Sequence, residues 1–234
     1  MKKFELTTEF ITNMFEKKLF RIKALVEFGN VKAGELGGYV EKEENVSQDG
    51  NAWVSGDAEV SGNARVYGDA RVSGNAEVSG DAEVSGNARV SGNARVSGNA
   101  WVYGDARVYG NARVSGDAEV SGNARVSGNA RVYGNARVSG NAWVSGNAWV
   151  SGNAEVSGDA DYALVQGFGT EFRCTTFYRG KNKKIMVNCG CFHGDLEGFR
   201  KQVKETRNGK IAKEYLMIAD LMEYHFTSED SSNE

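Results

Sequence analysis

The sequence predicts an elongated all-β solenoid, in which short strands stack into a rod that is capped at both ends. The hexapeptide Gly-[Asn/Asp]-Ala-x-Val-[Ser/Tyr] occurs eighteen times in succession between Gly50 and Ser157, without insertion or deletion. Alanine and valine lie two positions apart in each hexad, as residues on one face of a strand do. The 234-residue chain also lacks proline, which would remove hydrogen bonds from a sheet.

Each hexad is predicted to form a short Ala-x-Val strand followed by a corner. Alanine and valine point inward and fill a narrow interior, while x points outward. The Gly-[Asn/Asp] pair suits a tight corner, because glycine accepts positive φ and asparagine or aspartate tolerates the left-handed region. A single hexad cannot bury its valine, so stacked coils must provide the core.

The spacing of small and aliphatic residues, as in Ala52/Val54 and Ala58/Val60, resembles that of the hexapeptide-repeat family. This resemblance implies a left-handed parallel β-helix with three hexads per triangular coil, and therefore about six regular coils. Three segments are similar to segments of uncharacterised phage and prophage hexapeptide-repeat proteins. They are the repeat Gly-Asn-Ala-Arg-Val-Tyr, the segment Phe-Gly-Asn-Val-Lys-Ala-Gly-Glu-Leu-Gly-Gly-Tyr before the repeats and the segment Cys-Gly-Cys-Phe after them. For a phage protein, the resemblance suggests a role in blocking host defence, but it carries no activity to transfer.

With three hexads per coil, residues eighteen apart stack, and the variable position x forms one column on each of three faces. The first column reads Trp53, Arg71, Arg89, Arg107, Arg125 and Trp143. The second reads Glu59, Glu77, Arg95, Arg113, Arg131 and Trp149. The third reads Arg65, Glu83, Trp101, Glu119, Arg137 and Glu155, and it alternates in sign as an ordinary solvated sheet does.

The seven arginines of the first two columns form the predicted binding surface, with Tyr109 at the corner between them and Trp143 and Trp149 at one end. Like charges on neighbouring strands are destabilising. Arginine forks beside aromatic rings suit phosphates, nucleobases or an acidic protein. The expected partner is therefore an anionic macromolecule, a nucleotide or a host protein.

An ordinary solvated surface is the alternative interpretation of these columns. Repeat arrays expand by duplication, so a run of arginines can be copied without selection for binding. Asp69 and Asp105 at corners of the first face, and Asp57 at a corner of the second, could also neutralise part of the surface.

The predicted domain organisation is an N-terminal cap with an irregular first coil at 1–49, the β-helix at 50–159, an α+β unit at 160–227 and a disordered acidic tail at 228–234. In the cap, alternating apolar residues predict two strands around Glu16, with a helix from Thr8 to Lys18 as the alternative. In the α+β unit, three strands at 163–169, 170–179 and 184–191 precede two helices, and Asp195 is the expected N-cap of the first.

The second of these helices carries an apolar stripe that includes Tyr215, Ile218 and Met222. We expect this stripe to pack on the last coil or against another copy of the chain. Hexapeptide-repeat proteins are often trimers, so the resemblance implies a homo-oligomer, either a dimer or a trimer.

A non-enzymatic protein without a cofactor is predicted. Many hexapeptide-repeat proteins are acyltransferases with a catalytic histidine near an inserted loop, but these repeats contain neither, and His193 and His225 lie beyond them. The alternative function is a structural or oligomerisation scaffold without a ligand. An acyltransferase-like enzyme is a third and weaker alternative.

The C-terminal cysteines give one candidate metal set. Cys174, Cys189, Cys191 and His193 could supply Cys₃His zinc ligands, because alternate residues on a strand share a face. Buried free cysteines are the simpler interpretation of the same residues. The three cysteines lack the spacing of a disulfide framework, which predicts a cytoplasmic protein. The N-terminus has no apolar signal core, which also argues against secretion. The sequence has no apolar run of about 20 residues, so no membrane partner is expected.

Overall fold

The computed structural model describes residues 2–170 and 173–227. Its central feature is a parallel β-solenoid of about seven turns, flanked by N-terminal strands and a small C-terminal unit of sheet and helices. The predicted fold class is therefore confirmed.

Three N-terminal strands, β1 (Phe4–Thr12), β2 (Lys18–Ala24) and β3 (Leu36–Val40), precede the repeats. Each hexad then contributes one two-residue strand, and these are labelled β4 to β21 in chain order. The first face holds Trp53–Val54, Arg71–Val72, Arg89–Val90, Arg107–Val108, Arg125–Val126 and Trp143–Val144. The second face holds Glu59–Val60, Glu77–Val78, Arg95–Val96, Arg113–Val114, Arg131–Val132 and Trp149–Val150. The third face holds Arg65–Val66, Glu83–Val84, Trp101–Val102, Glu119–Val120, Arg137–Val138 and Glu155–Val156.

Strands one coil apart pair in parallel, and the partners lie eighteen residues apart along the chain. Val90, for example, pairs with Val72 on one side and with Val108 on the other. The alanine and valine of every hexad are buried, with at most 1% of their surface exposed. One small and one branched side chain per strand thus fill the interior, as the hexad pattern predicts.

The corners explain why glycine opens every hexad. Gly98 has a φ of 70°, a region that side chains with a Cβ rarely adopt. The next coil is also very close, since a Cβ added to Gly98 would lie 2.9 Å from the Gly116 amide nitrogen. Glycine therefore satisfies both the backbone conformation and the spacing of the coils.

The N-terminal cap begins with a hairpin of β1 and β2, so the helix considered for residues 8 to 18 is not formed. At the hairpin turn, the Asn13 side chain accepts hydrogen bonds from the Phe15 and Lys17 amides, both at 3.0 Å, and Glu16 adopts a φ of 60°. This turn allows the alternating residues on either side to pair as strands. β3 then pairs in parallel with the Glu59–Val60 strand and leads, through a 3₁₀ turn at Glu43–Asn45, into the expected irregular coil.

A lysine closes the first end of the solenoid. Lys3 is only 4% exposed, and its ammonium group donates to the carbonyls of Ala52 at 3.0 Å and Gly50 at 3.3 Å. It also lies 4.8 Å from the centroid of the Phe28 ring. Burial lowers the pKa of Lys3 to about 8, so the cap contains an ammonium group whose charged form is disfavoured.

The C-terminal unit consists of an antiparallel sheet and two helices: β22 (Tyr162–Phe168), β23 (Arg173–Arg179), β24 (Ile185–Cys189), β25 (Phe192–Asp195), α1 (Leu196–Thr206) and α2 (Gly209–Thr227). The prediction of three strands is wrong by one. Gly190, at a φ of 60°, begins a tight turn that folds Phe192 back onto Cys189, so the segment expected to lead directly into the helix first forms β25. Asp195 is the predicted N-cap of α1 and accepts a hydrogen bond from the Gly198 amide at 2.9 Å.

The two faces of this sheet have different neighbours. One face, with Tyr178 and Met186, closes the last coil, while the other, with Phe177 and Val187, packs against α1 and α2. Side chains from the sheet satisfy the open strand edge: Thr176 accepts from the Trp149 amide at 3.0 Å, and Asn188 donates to the Trp149 carbonyl at 2.7 Å.

The acidic tail predicted to be disordered, 228–234, lies outside the described residues. Within the described part of the chain, no helix is long and apolar enough to cross a membrane.

Candidate anion-binding surface

Two neighbouring faces of the solenoid display the predicted arginines in register. On the first face, Arg89 pairs with Arg71 and Arg107, and Arg107 also pairs with Arg125. On the second face, Arg113 pairs with Arg95 and Arg131. Successive arginines in a column are thus about 4.8 Å apart at the backbone. We call these seven residues the arginine surface: Arg71, Arg89, Arg95, Arg107, Arg113, Arg125 and Arg131.

The edge between these two faces carries a ladder of uncharged side chains. One asparagine per coil donates its amide to the next coil's asparagine, at 3.1 to 3.2 Å, through the series Asn75, Asn93, Asn111, Asn129 and Asn147. Asp57, one coil before Asn75, is the only carboxylate in this column of the described chain. From the second regular coil onward, this edge therefore places no negative charge between the two arginine columns.

The other aspartates of the repeats lie on the two remaining edges. Asp69 and Asp105 occupy the edge between the third and first faces, where they accept from Asn51 at 2.7 Å and Asn87 at 3.1 Å. Asp81 and Asp117 occupy the edge between the second and third faces and accept from Asn63 and Asn99. The carboxylates thus border the arginine surface without dividing it.

Direct ion pairing neutralises little of this surface. Arg95 lies 2.9 Å from Glu77, but across residues 2–170 and 173–227 none of the other six has a carboxylate oxygen within 4.0 Å. Five of those six are exposed, while Arg71 is half-buried. The third face differs, because Arg137 lies 3.5 Å from Glu119 and Arg65 lies 5.9 Å from the Tyr67 ring centroid.

Acidic residues occupy the first coils of the second face. Glu59 pairs in register with Glu77. Partial burial, and then the neighbouring Glu77 carboxylate, raise the pKa of Glu59 above its usual value, while Arg95 acts in the opposite direction. The positive charge of this face is thus concentrated from Arg95 onward.

The aromatic residues predicted to accompany the arginines have different environments. Tyr109 is half-buried at the edge between the two columns. Trp143 is 45% exposed at the end of the first column, and its indole donates to the Ser127 hydroxyl at 2.9 Å. Trp149 is less accessible, because its ring packs at a tilt against Tyr133, at 5.3 Å between centroids, and its backbone binds the C-terminal sheet.

Trp53 does not provide a second exposed tryptophan at the other end of the first column. It is 2% exposed and packs edge-on against Phe28 at 5.4 Å and Phe4 at 6.3 Å between centroids. The hexad pattern could not reveal this, because the covering rings come from the N-terminal cap.

The residues expected to form an oligomer or cap contact lie in the core of the C-terminal unit. Tyr215, Ile218 and Met222 are at most 8% exposed and pack against the chain's own sheet and α1, not against the last coil. The opposite face of α2 is the accessible one, with Met217, Leu221 and Tyr224 exposed by 61%, 58% and 72%. Sequence reasoning missed this second stripe, although its spacing of four and three residues was a readable signal.

The candidate zinc ligands do not converge. Cys189 lies directly opposite Thr175, which donates to its sulfur at 3.1 Å, on the side of the sheet that faces the helices. Cys174 precedes Thr175 and so points to the other side, where its thiol contacts the Asn147 carbonyl at 3.5 Å. Within the described residues, no three histidine, cysteine or acidic side chains are arranged to hold a metal ion.

His193 also has a structural contact at the last coil. Its Nδ1 lies 2.5 Å from the Asn188 side-chain oxygen and 3.5 Å from the Ser151 hydroxyl.

The other cysteines, Cys191 and Cys174, have different environments. Cys191 is exposed in the turn before His193. Burial raises the pKa of Cys174, which disfavours a reactive thiolate there.

The repeats match a known family. A family model described as YdcK Beta solenoid repeat matches residues 58–74, 64–80, 88–104, 106–122, 118–132 and 130–146. All of these segments lie within the hexads, so the similarity concerns the solenoid and not the two caps. No curated protein sequence matches the chain.

Proposed function

We propose that this β-solenoid repeat protein is a non-catalytic binding protein that holds a polyanion on the arginine surface. The observation that carries the proposal is the asparagine ladder between the two arginine columns. Aspartate occurs on all three edges but is confined on this one to Asp57, so the columns form one continuous basic surface. A charged partner would supply the neutralisation that the chain itself omits.

The regular spacing of the arginines favours a partner with regularly spaced negative charges. Like charges on neighbouring strands destabilise a sheet, and the third face shows that the same fold accommodates compensating pairs. A bound polyanion would remove the repulsion in both columns and release condensed counterions. This favours an extended charged strand over a single small anion for the surface as a whole.

A single-stranded nucleic acid is the polyanion that these side chains fit best. Guanidinium groups bind phosphates through two parallel hydrogen bonds and also stack on bases. Trp143, exposed at the end of the first column, offers a ring on which a base can stack. An acidic protein surface would share the electrostatic attraction but has no base to stack on this ring, and a single nucleotide has too few phosphates to span both arginine columns.

The biological setting of the proposal rests on the resemblance to phage and prophage hexapeptide-repeat proteins. In that setting the protein acts in the host cytoplasm, and its partner belongs to a host defence system. This part of the proposal is independent of the arginine geometry, and it can be tested by capturing partners from infected cells and identifying both proteins and nucleic acids.

Neutralising the surface tests the binding proposal. We expect the variant Arg89→Gln/Arg107→Gln/Arg113→Gln/Arg125→Gln to lose binding of a 20-nucleotide single strand, measured by fluorescence anisotropy at several salt concentrations. The control Arg65→Gln/Arg137→Gln changes arginines on the third face and should bind as the wild type does. Equal affinities of the wild type and the fourfold variant would refute the proposal. Polyglutamate of matched charge provides the acidic-protein comparison, and equally tight binding of it would exclude a nucleic-acid preference.

A homo-oligomeric scaffold is the second candidate function, favoured by the exposed stripe on α2. The appropriate test is Leu221→Glu, because Leu221 is 58% exposed, with Tyr224→Ser as a second variant on the same face. Ile218 and Met222 are unsuitable for this purpose, since their replacement would damage the C-terminal core. A scaffold predicts that sedimentation velocity shows a smaller species for Leu221→Glu, whereas an unchanged sedimentation coefficient would contradict it.

A further inference from the structure

The first-face arginine column ends in a cleft beside the N-terminal cap. The cleft has a volume of about 400 Å³ and lies between the turn at Asn30 and the first three regular coils. Its polar lining consists of Arg71, Arg89, Asn30 and one serine from each coil, Ser55, Ser73 and Ser91. This volume is within the range of small-molecule sites, which begins at about 300 Å³.

The turn that closes the cleft is firmly attached to the solenoid. Phe28 and Val31 exchange backbone hydrogen bonds at 2.9 and 3.1 Å, and the Phe28 ring packs on Trp53 at 5.4 Å between centroids. Gly29, with a φ of 52°, allows the turn to reverse within this short span. The exposed turn that forms this wall of the cleft is therefore anchored to the core through Phe28.

The same turn lies against one of the two guanidinium groups. A Cβ added to Gly29 would lie 3.2 Å from Nη2 of Arg71, so the guanidinium rests against the backbone of the turn. Arg71 is accordingly half-buried, whereas Arg89, one coil further, is exposed. A partly desolvated arginine next to an exposed one forms a stronger anion site than either residue on an open face.

The lining contains no carboxylate, so its two positive charges have no internal counterion. Its hydroxyl and amide groups can donate further hydrogen bonds. Trp53 also lines the cleft, but its indole N–H is buried, so the neutral donors that a ligand can reach are the serine hydroxyls and the Asn30 amide. Positive charge combined with several neutral donors favours a dianion that has three free oxygens over a single carboxylate.

We infer that this cleft binds a phosphomonoester group, held by Arg71 and Arg89 and by the serine hydroxyls. A phosphomonoester carries between about 1.5 and 2 negative charges at pH 7, which matches two guanidinium groups. The group can come from a free phosphorylated small molecule or from the phosphorylated end of a nucleic-acid strand. The free-molecule case stands without the proposed function, and only the strand-end case rests on it.

Isothermal titration calorimetry with adenosine 5′-monophosphate, adenosine and inorganic phosphate tests the inference. We expect the wild type to bind the monophosphate and phosphate but not adenosine. Arg71→Gln should weaken the binding of the monophosphate by about tenfold or more, as expected for loss of a charge-assisted hydrogen bond. Arg125→Gln lies in the same column but outside the cleft, and it should leave this affinity unchanged.

Ser73→Asp provides a second variant that leaves both arginines in place. It introduces a carboxylate into the lining and should abolish binding of the monophosphate, while thermal unfolding reports whether the fold is retained. Absence of binding by both monophosphate and phosphate to the wild type would overturn the inference. Equal losses in Arg71→Gln and Arg125→Gln would also overturn it, because the attraction would then belong to the whole surface.

Two oligonucleotides of one sequence, with and without a 5′-phosphate, distinguish the sources of the group. Tighter binding of the phosphorylated strand, lost in Arg71→Gln, assigns the cleft to a strand end. Equal binding of the two strands, together with binding of the monophosphate, assigns it to a small molecule. The variant Arg107→Gln/Arg113→Gln/Arg125→Gln retains both cleft arginines, so loss of strand binding there with unchanged monophosphate binding separates this site from the proposed function.

Discussion

Placing negative charge on the edge between the two arginine columns should weaken polyanion binding without disturbing the fold. The perturbation is Asn93→Asp/Asn129→Asp. Asn75 and Asn111 would then donate to the new carboxylates, as Asn51 and Asn87 donate to aspartates on a neighbouring edge. The substitutions are isosteric and recreate an alternation that this solenoid already contains, so we expect no loss in the free energy of unfolding.

The magnitude follows from the position of the ladder. With about 7 Å between a new carboxylate and a phosphate bound over the edge, and an effective dielectric constant of about 40, each carboxylate contributes about 1 kcal/mol of repulsion. Two carboxylates therefore raise the dissociation constant by about 30-fold. The effect should fall as salt is added, since the screening length is about 10 Å at 0.1 M.

The assay is fluorescence anisotropy with the 20-nucleotide strand at low ionic strength. Asn141→Asp/Asn153→Asp is the matched control, because it adds two carboxylates on the other two edges, beyond the last arginine of each column. An unchanged affinity in Asn93→Asp/Asn129→Asp, or an equal loss in the control, would show that the edge between the columns has no special role. The binding surface would then have to be sought elsewhere on the molecule.

Two predictions concern stability. Burial lowers the pKa of Lys3 to about 8 from 10.5, so between these values the unfolded chain holds a proton that the folded chain has released. The free energy of unfolding should therefore rise with pH from 8 to 9.5, by up to about 1.4 kcal/mol per pH unit. Urea titrations should show no such rise for Lys3→Met. The same pH dependence in Lys3→Met and the wild type would show that Lys3 is not its source. Gly98→Ala should lower the free energy of unfolding by about 2 kcal/mol or more, because the backbone has positive φ and the next coil is too close. Gly158→Ala should be nearly neutral, since the φ of Gly158 is −146° and nothing lies within 4 Å of an added Cβ. Similar melting temperatures for both variants would refute this reasoning.

The register of the solenoid could be predicted because it depends on one repeated spacing. Pairing at eighteen residues places Arg89 beside Arg107 whatever the rest of the chain does. The prediction that Asp57, Asp69 and Asp105 neutralise part of the surface takes account of the aspartates alone. The corner residues follow the same period, so the asparagine ladder can also be derived from the sequence.

Features that depend on contacts between the repeats and the caps could not be obtained in this way. The burial of Trp53 requires Phe4 and Phe28, which are distant in the sequence and follow no period. On α2, two apolar stripes compete for the sheet, and spacing alone does not decide that Ile218 is buried while Leu221 is exposed. Cys174 and Cys189 are residue types that bind zinc, but the strand register places them on opposite sides of the sheet.

The two polar closures, Lys3 at one end and Thr176 with Asn188 at the other, have a consequence for how the chain can change length. Each closure recognises the backbone of one terminal coil, so neither depends on the number of coils between them. Duplication of eighteen residues would lengthen the rod by about 4.8 Å and leave every column aligned. Duplication of a single hexad would instead turn the C-terminal unit by a third of a revolution and transfer later residues to a different face. Gene changes in whole-coil steps therefore adjust the reach of the protein, while changes in single-hexad steps alter which surface it presents.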